Sequence, residues 1–221
     1  MTPGRPLVIP LNAAILQCTL HDTNNSDTTD EHSPGDEGSG RWLLLIYQLS
    51  KGASSGRTTI WREVRRLGAL SLQHAVCLLP FSKNNREAYE RIIRRVEGYG
   101  GEASILETAS PTDAWHARTV SRFNAARDEE YEEVVDETER FREEVERERR
   151  KGKFTFAELE DEESNLERLH KYLAGVEARD AFGAAGRARA VAEVERCAEV
   201  LEAFAQEIYE HQRVAEDEDT R

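Results

Sequence analysis

Residues 67–80 read LGALSLQHAVCLLP, and the fold turns on whether they form one strand or two. Strict alternation over Leu70–Pro80 puts Leu70, Leu72, His74, Val76 and Leu78 on one face of a continuous strand. A bend near Gln73–His74 instead makes two short strands that pair with each other. Upstream, WLLLIYQL (residues 42–49) is apolar at both parities, as in a strand covered on both faces. Between them, residues 57–67 carry Ile60, Val64 and Leu67 at helical spacing, and Gly68 is a plausible stop. Downstream, NNREAYERIIRRVEGYGG is a second helix with Tyr89, Ile92, Ile93 and Val96 inward, and EASILETA is a further strand. With one strand at 70–80 the order is β-α-β-α-β. With the bend it is β-α-β-β-α-β, the order of a ferredoxin-like sheet. The α+β ferredoxin-like reading is adopted, followed by an antiparallel helical region.

The helical region begins near Trp115. Three apolar stripes recur at helical spacing: Tyr131, Val134, Val135, Thr138, Phe141 and Val145; Leu166, Leu169, Tyr172, Leu173 and Val176; Val191, Val194, Ala198, Leu201, Phe204 and Ile208. RKGKFTF and FGAAG separate them. Each stripe needs burial, and an antiparallel bundle supplies it. The Glu- and Arg-rich run 128–151 reads as a solvated helix face with i,i+4 pairs. The expected division is a disordered head over 1–40, a ferredoxin-like domain over 41–112, a bundle over 113–212 and an acidic disordered tail over 213–221. The head is expected because residues 21–40 hold almost nothing apolar and cannot offset their ordering entropy.

Charge is unevenly placed. The 221-residue chain has a formal net charge of −13. Residues 41–100 hold eleven basic and four acidic residues, a local balance of +7, which leaves −20 for the remainder. The total argues against nonspecific nucleic-acid binding by the whole surface. It leaves room for a local basic face, because screening acts over about 8–10 Å. Arg57, Arg62, Arg65 and Arg66 on the first helix, and Arg91, Arg94 and Arg95 on the second, fall outside the apolar stripes. Two readings of them stand side by side: contact with DNA phosphates, and plain solvation or pairing with the acidic second half.

Other chemistry is thinner. Cys18, Cys77 and Cys197 are far apart and odd in number, which argues against a disulfide framework or zinc site and fits a reducing cytoplasm. The six His residues form no metal-binding spacing, so no metal and no cofactor are expected. Residues 7–20 contain Pro10, Asn12 and Gln17, lack a small-residue cleavage site and are too short and polar to span a bilayer; neither export nor a membrane partner is expected. Trp42, Trp61 and Trp115 read as core anchors rather than stacking platforms. His74, on the apolar parity, reads as a satisfied core histidine. Arg179 and Asp180, in EARDAFG, read as a structural ion pair near a helix end, with an oxyanion site at Arg179 as the alternative.

The segments RWLLLIYQL and IWREVRRLGALSLQHAVCLLP, continued by FNAARDEEYEEVVDETERF and GKFTFAELEDEESNLERLHKYLAGVEARDAFGA, resemble the N-terminal domain of the ChrB chromate-resistance regulatory family over about residues 41–212. That resemblance implies a cytoplasmic, DNA-binding transcriptional regulator responding to chromate. Longer ChrB-like proteins add a C-terminal chromate-resistance domain, and this sequence ends at Arg221. The first half is also similar to the ferredoxin-like module of the phenylacetate-operon repressors and of small CRISPR-associated nucleases. Those nucleases place an Asp near the end of their first strand, where this sequence has Gln48, a poor ligand for a hard cation. The chain is therefore not expected to be an enzyme. A DNA-binding regulator, or a non-catalytic module that docks a partner or its own copy as a homodimer, are the function classes that remain.

Overall fold

The computed structural model describes residues 40–50, 52 and 54–219; the expected disordered head lies outside them, apart from Gly40. The elements are β1 (Arg41–Gln48), α1 (Ser54–Arg66), β2 (Leu70–Gln73), β3 (Val76–Pro80), α2 (Lys83–Gly98), β4 (Glu102–Ala109), α3 (Asp113–Lys151), α4 (Phe156–Glu177) and α5 (Arg187–Asp219). The protein is thus α+β, a small antiparallel sheet with five helices.

The stretch 67–80 is two strands. The chain turns at His74–Ala75, and Ala75 takes φ +61, the left-handed region. Sheet order is β2-β3-β1-β4, with every neighbouring pair antiparallel. β1 sits between β3 and β4, pairing Leu43 with Leu79 and Glu107, and Leu45 with Cys77 and Ile105. A central strand needs cover on both faces, which explains why β1 is apolar at both parities. Leu43, Leu45, Cys77 and Leu79 join Ile60 and Val64 of α1 and Tyr89, Ile92 and Val96 of α2 in one core. On the other parity, the Trp42 ring lies 5.8 Å from Trp115 and 5.8 Å from Phe123, both on α3, and 5.9 Å from Phe182 in the α4–α5 connection. Its Nε1 donates to Ser110 Oγ at 2.7 Å.

The three long helices form an up-down-up bundle. α4 runs antiparallel to α3, shown by the Arg179–Glu130 and Tyr172–Glu133 contacts. α5 returns parallel to α3, with Arg189 on Glu132 and Arg149 on Glu207. Nearly every residue of the three predicted stripes is buried or half-buried between them. Thr112 and Thr155 cap α3 and α4 by accepting the N–H groups of Trp115 and Glu158. The FGAAG connection is held by two carboxylates: Asp180 accepts from the N–H of Gly183 and Ala184, and Asp128 from that of Gly186. α5 continues to Asp219, beyond the point where the acidic tail was expected to lose its structure.

Candidate nucleic-acid interface

α1 and α2 lie side by side over the sheet. Their inward residues belong to one core, so their outward residues face solvent together. Arg57, Arg62, Arg65 and Arg66 are exposed on α1, and Arg91, Arg94 and Arg95 on α2. An ion pair between Arg95 and Glu63 joins the two helices across this surface. Among the described residues, Arg62, Arg65, Arg66, Arg91 and Arg94 take part in no ion pair.

The basic side chains of the bundle are differently placed. Arg140, Arg147, Arg149 and Lys151 each meet a glutamate three residues earlier on α3, so i,i+3 pairs take the place of the expected i,i+4 ones. Arg142 reaches Glu193 at 2.7 Å and Arg189 reaches Glu132 at 2.7 Å, bridging α3 and α5. The acidic helices therefore neutralise most of their own cations.

Two tryptophans match their expected place and one does not. Trp42 is 1% exposed and Trp115 is half-buried, but Trp61 is 51% exposed. The reason is position. Residue 61 stands one step off the Ile60–Val64 stripe and four residues before Arg65, so it shares the arginine face. The Arg65 guanidinium carbon lies 5.1 Å from the Trp61 ring centroid, a cation–π contact. The signal was in the sequence as this i,i+4 spacing.

Beside Trp61 an open groove of about 680 Å³ runs between α1 and the β2–β3 turn, lined by Tyr47, Gln48, Leu49, Arg57, Thr58, Trp61, His74 and Ala75. A smaller hollow of about 290 Å³ adjoins it and adds Arg65, Leu72 and Cys77 to the lining. His74 is exposed here and is not a core residue, because the turn breaks the parity that placed it inside. Burial raises the pKa of Cys77 and of Tyr47, so both are neutral at pH 7.

Arg179 lies against Gly68, just past the end of α1. Its Nη2 lies 2.6 Å from Glu130 Oε2, so its ion-pair partner is Glu130 and not Asp180. Asp180 instead accepts from the Tyr131 hydroxyl at 3.2 Å as well as from the backbone. Burial first, and then the Asp180 carboxylate, push the Tyr131 hydroxyl up to about 12.

A sheet layer with an exposed arginine surface, followed by an acidic three-helix bundle, is the arrangement to which comparison with known proteins gives a family. The family profile described as "Protein ChrB, N-terminal" matches residues 57–215, from α1 through most of α5. The chain belongs to that family. It is also 29% identical over 92 residues to Protein ChrB of Cupriavidus metallidurans, a match covering 42% of this chain. The matched part spans 28% of the length of that curated relative.

Proposed function

We propose that this chain is a DNA-binding regulator of chromate resistance that seats duplex phosphates on the arginine face of α1 and α2. One observation carries this reading: five exposed arginines on two adjacent helices have no carboxylate partner among the described residues, while most of the bundle cations, Arg142 and Arg189 among them, are paired. An exposed cation without a partner is available to replace the counterions of a phosphate. Helices lying flat over a sheet do not by themselves enter the major groove, so these arginines are assigned to positioning rather than base readout. The proposed role is binding without catalysis, since β1 closes on Gln48 rather than on a carboxylate.

The test is a salt titration of binding to DNA fragments from the protein's own locus. Each phosphate contact contributes about 0.9 to the slope of log affinity against log salt. Arg62→Ala with Arg91→Ala takes one arginine from each helix. It should weaken specific and nonspecific binding alike and flatten the slope by up to about two units. A wild-type protein without salt-dependent binding, or a double variant with an unchanged slope, removes the reading.

A further inference from the structure

We propose that β4 is the contact strand of a homodimer, pairing antiparallel with its own copy about a two-fold axis at Leu106. The inference does not rest on the DNA reading, and neither depends on the other.

β4 is an edge strand, bonded to β1 on one side. At the end of that ladder Ser110 N–H donates to Gly40 O at 2.8 Å. Antiparallel alternation then turns the even-numbered residues of β4 toward β1. It leaves the N–H and C=O groups of Ala103, Ile105, Glu107 and Ala109 pointing away from the sheet. Among the described residues, the one hydrogen bond to these outward groups comes from the Thr108 hydroxyl, 3.3 Å from the Ala109 carbonyl oxygen. The opposite edge is protected. β2 has four residues, its register breaks between Ser71 and Gln73, and Arg122 donates to the Ser71 carbonyl at 3.3 Å. A short strand, a bulge and a covering cation keep an edge from pairing. β4 has none of these: it runs eight residues, EASILETA, without a bulge, a proline or a lysine. A row of open backbone groups of that length is a template for one more strand.

The side chains match a second copy. With the axis at Leu106, Ala103 pairs with the copy's Ala109 and Ile105 with the copy's Glu107. Leu106 then stands opposite the copy's Leu106 at a close, non-hydrogen-bonded site. Leu106 is 48% exposed; Leu44 and the 37% exposed Ile46 of β1 lie on the same face, so the pairing sets apolar against apolar. Ser104 faces the copy's Thr108, a pair able to hydrogen-bond. Charge agrees as well. Glu107 is the acid that the axis brings toward its own copy, and it arrives held by Arg41 and by Arg86 of α2. The Arg86 side chain is still 45% exposed and, with the five N–H donors of a guanidinium, has capacity for the copy's Glu107 too. These are matches of the strand with itself, which is why the occupant is a second copy and not a foreign strand. Such an axis stands perpendicular to the sheet. Two four-stranded sheets therefore join edge to edge, with both α1–α2 layers on one side.

Sedimentation velocity of the full chain over a range of concentrations tests this. The wild type should show a concentration-dependent monomer–dimer equilibrium. Leu106→Lys sets two ammonium groups face to face on the axis and should raise the dissociation constant about tenfold or more. Because Leu106 is exposed, this variant should keep the wild-type circular dichroism spectrum. Leu106→Cys reads the register. Cys77 and Cys197 are buried, so replacing Cys18 by Ser clears the background. Opposite α-carbons at a non-hydrogen-bonded site lie within disulfide range, so mild oxidation should lock the Leu106→Cys dimer. Thr108→Cys, displaced from the axis, should not link. A wild type that is monomeric at every concentration overturns the proposal and leaves the edge to a foreign strand. A dimer that Leu106→Lys leaves intact, or that Leu106→Cys does not lock, overturns it as well. Should Leu106→Lys lose the wild-type spectrum, the cross-link alone decides.

Discussion

Arg127 shows how much one buried charge organises. Its side chain is 6% exposed, its Nη2 lies 2.9 Å from Glu130 Oε1, and its Nε and Nη1 have no hydrogen-bond partner among the described residues. Burial lowers its pKa, and the Glu130 carboxylate works against that shift. Gly68 closes over the guanidinium at φ +71, where a Cβ would collide with Nη1 and where glycine alone is unstrained. Glu130 serves Arg127 and Arg179 together, so its removal leaves two guanidiniums facing each other. Glu130→Ala should cost about 3–5 kcal/mol. Arg127→Met removes the buried charge and leaves the Arg179–Glu130 pair intact; it should cost less than about 1 kcal/mol or stabilise. Denaturant unfolding of both variants checks this, and equal costs would contradict it. Glu162 carries a pH signature. It is 3% exposed; burial first, then Glu148, Asp161 and Glu158, raise its pKa, against a hydrogen bond from Asn165. The folded state therefore holds this proton more tightly than the unfolded state. That contribution is present below the unfolded pKa of about 4.3 and is lost as pH rises through the folded value. Glu162→Gln should raise the melting temperature at pH 7, with the gain fading as pH falls toward 4. A gain that is constant with pH would place the effect elsewhere. None of this cluster was visible in sequence. Arg127 stands just before the charged run 128–151 that reads as solvated and Glu162 lies outside it, and only tertiary packing separates the buried charges from their exposed neighbours.

At the scale of elements, legibility followed the period of the pattern. The bundle stripes were legible because 3.6-residue spacing repeats over several turns, and Tyr131, Val134, Phe204 and Ile208 are each fully buried. The hairpin at 67–80 was harder, since alternation carries on across a two-residue turn as if the strand were unbroken. His74 was misplaced for that reason. The register also shifts between Ser71 and Gln73, a bulge that alternation cannot report. The turn has a thermodynamic consequence. Ala75 at φ +61 has a Cβ in a region that disfavours one. Ala75→Gly should stabilise the protein by about 1 kcal/mol, less whatever the unfolded chain gains in freedom. A destabilised variant would mean that the Cβ packs against the hairpin more strongly than it strains it. In the bundle, Leu201 is 7% exposed between Cys197 and Phe204. Leu201→Ala should cost about 2–5 kcal/mol in chemical denaturation, and a cost below about 0.5 kcal/mol would place the stripe on a surface.

For the molecule as a whole, the decisive feature is the separation of charge. The sequence shows a +7 segment inside a chain of −13, but it does not show whether the acidic helices cover the arginines. That depends on tertiary contacts between residues far apart in the chain. Several bundle glutamates are engaged with bundle arginines, as in Glu193 with Arg142 and Glu207 with Arg149, while Arg95 and Arg86 of α2 pair with Glu63, Glu90 and Glu107 of their own layer. If the proposed DNA site is right, the acidic bundle acts on DNA from a distance, as a repulsive field that disfavours every approach except the one to α1 and α2. Glu139, Glu143, Glu160 and Glu163 are exposed and form no ion pair among the described residues, so they contribute to that field without holding the fold. Changing all four to Gln should raise nonspecific duplex affinity several-fold at low ionic strength while leaving the melting temperature near its wild-type value. The gain should shrink as salt rises and disappear near 1 M, where the screening length is about 3 Å. A gain that persists at high salt would mean that these carboxylates touch the DNA or mask the arginines directly. No gain at low salt would mean that the bundle stands beyond the reach of its field on the bound duplex.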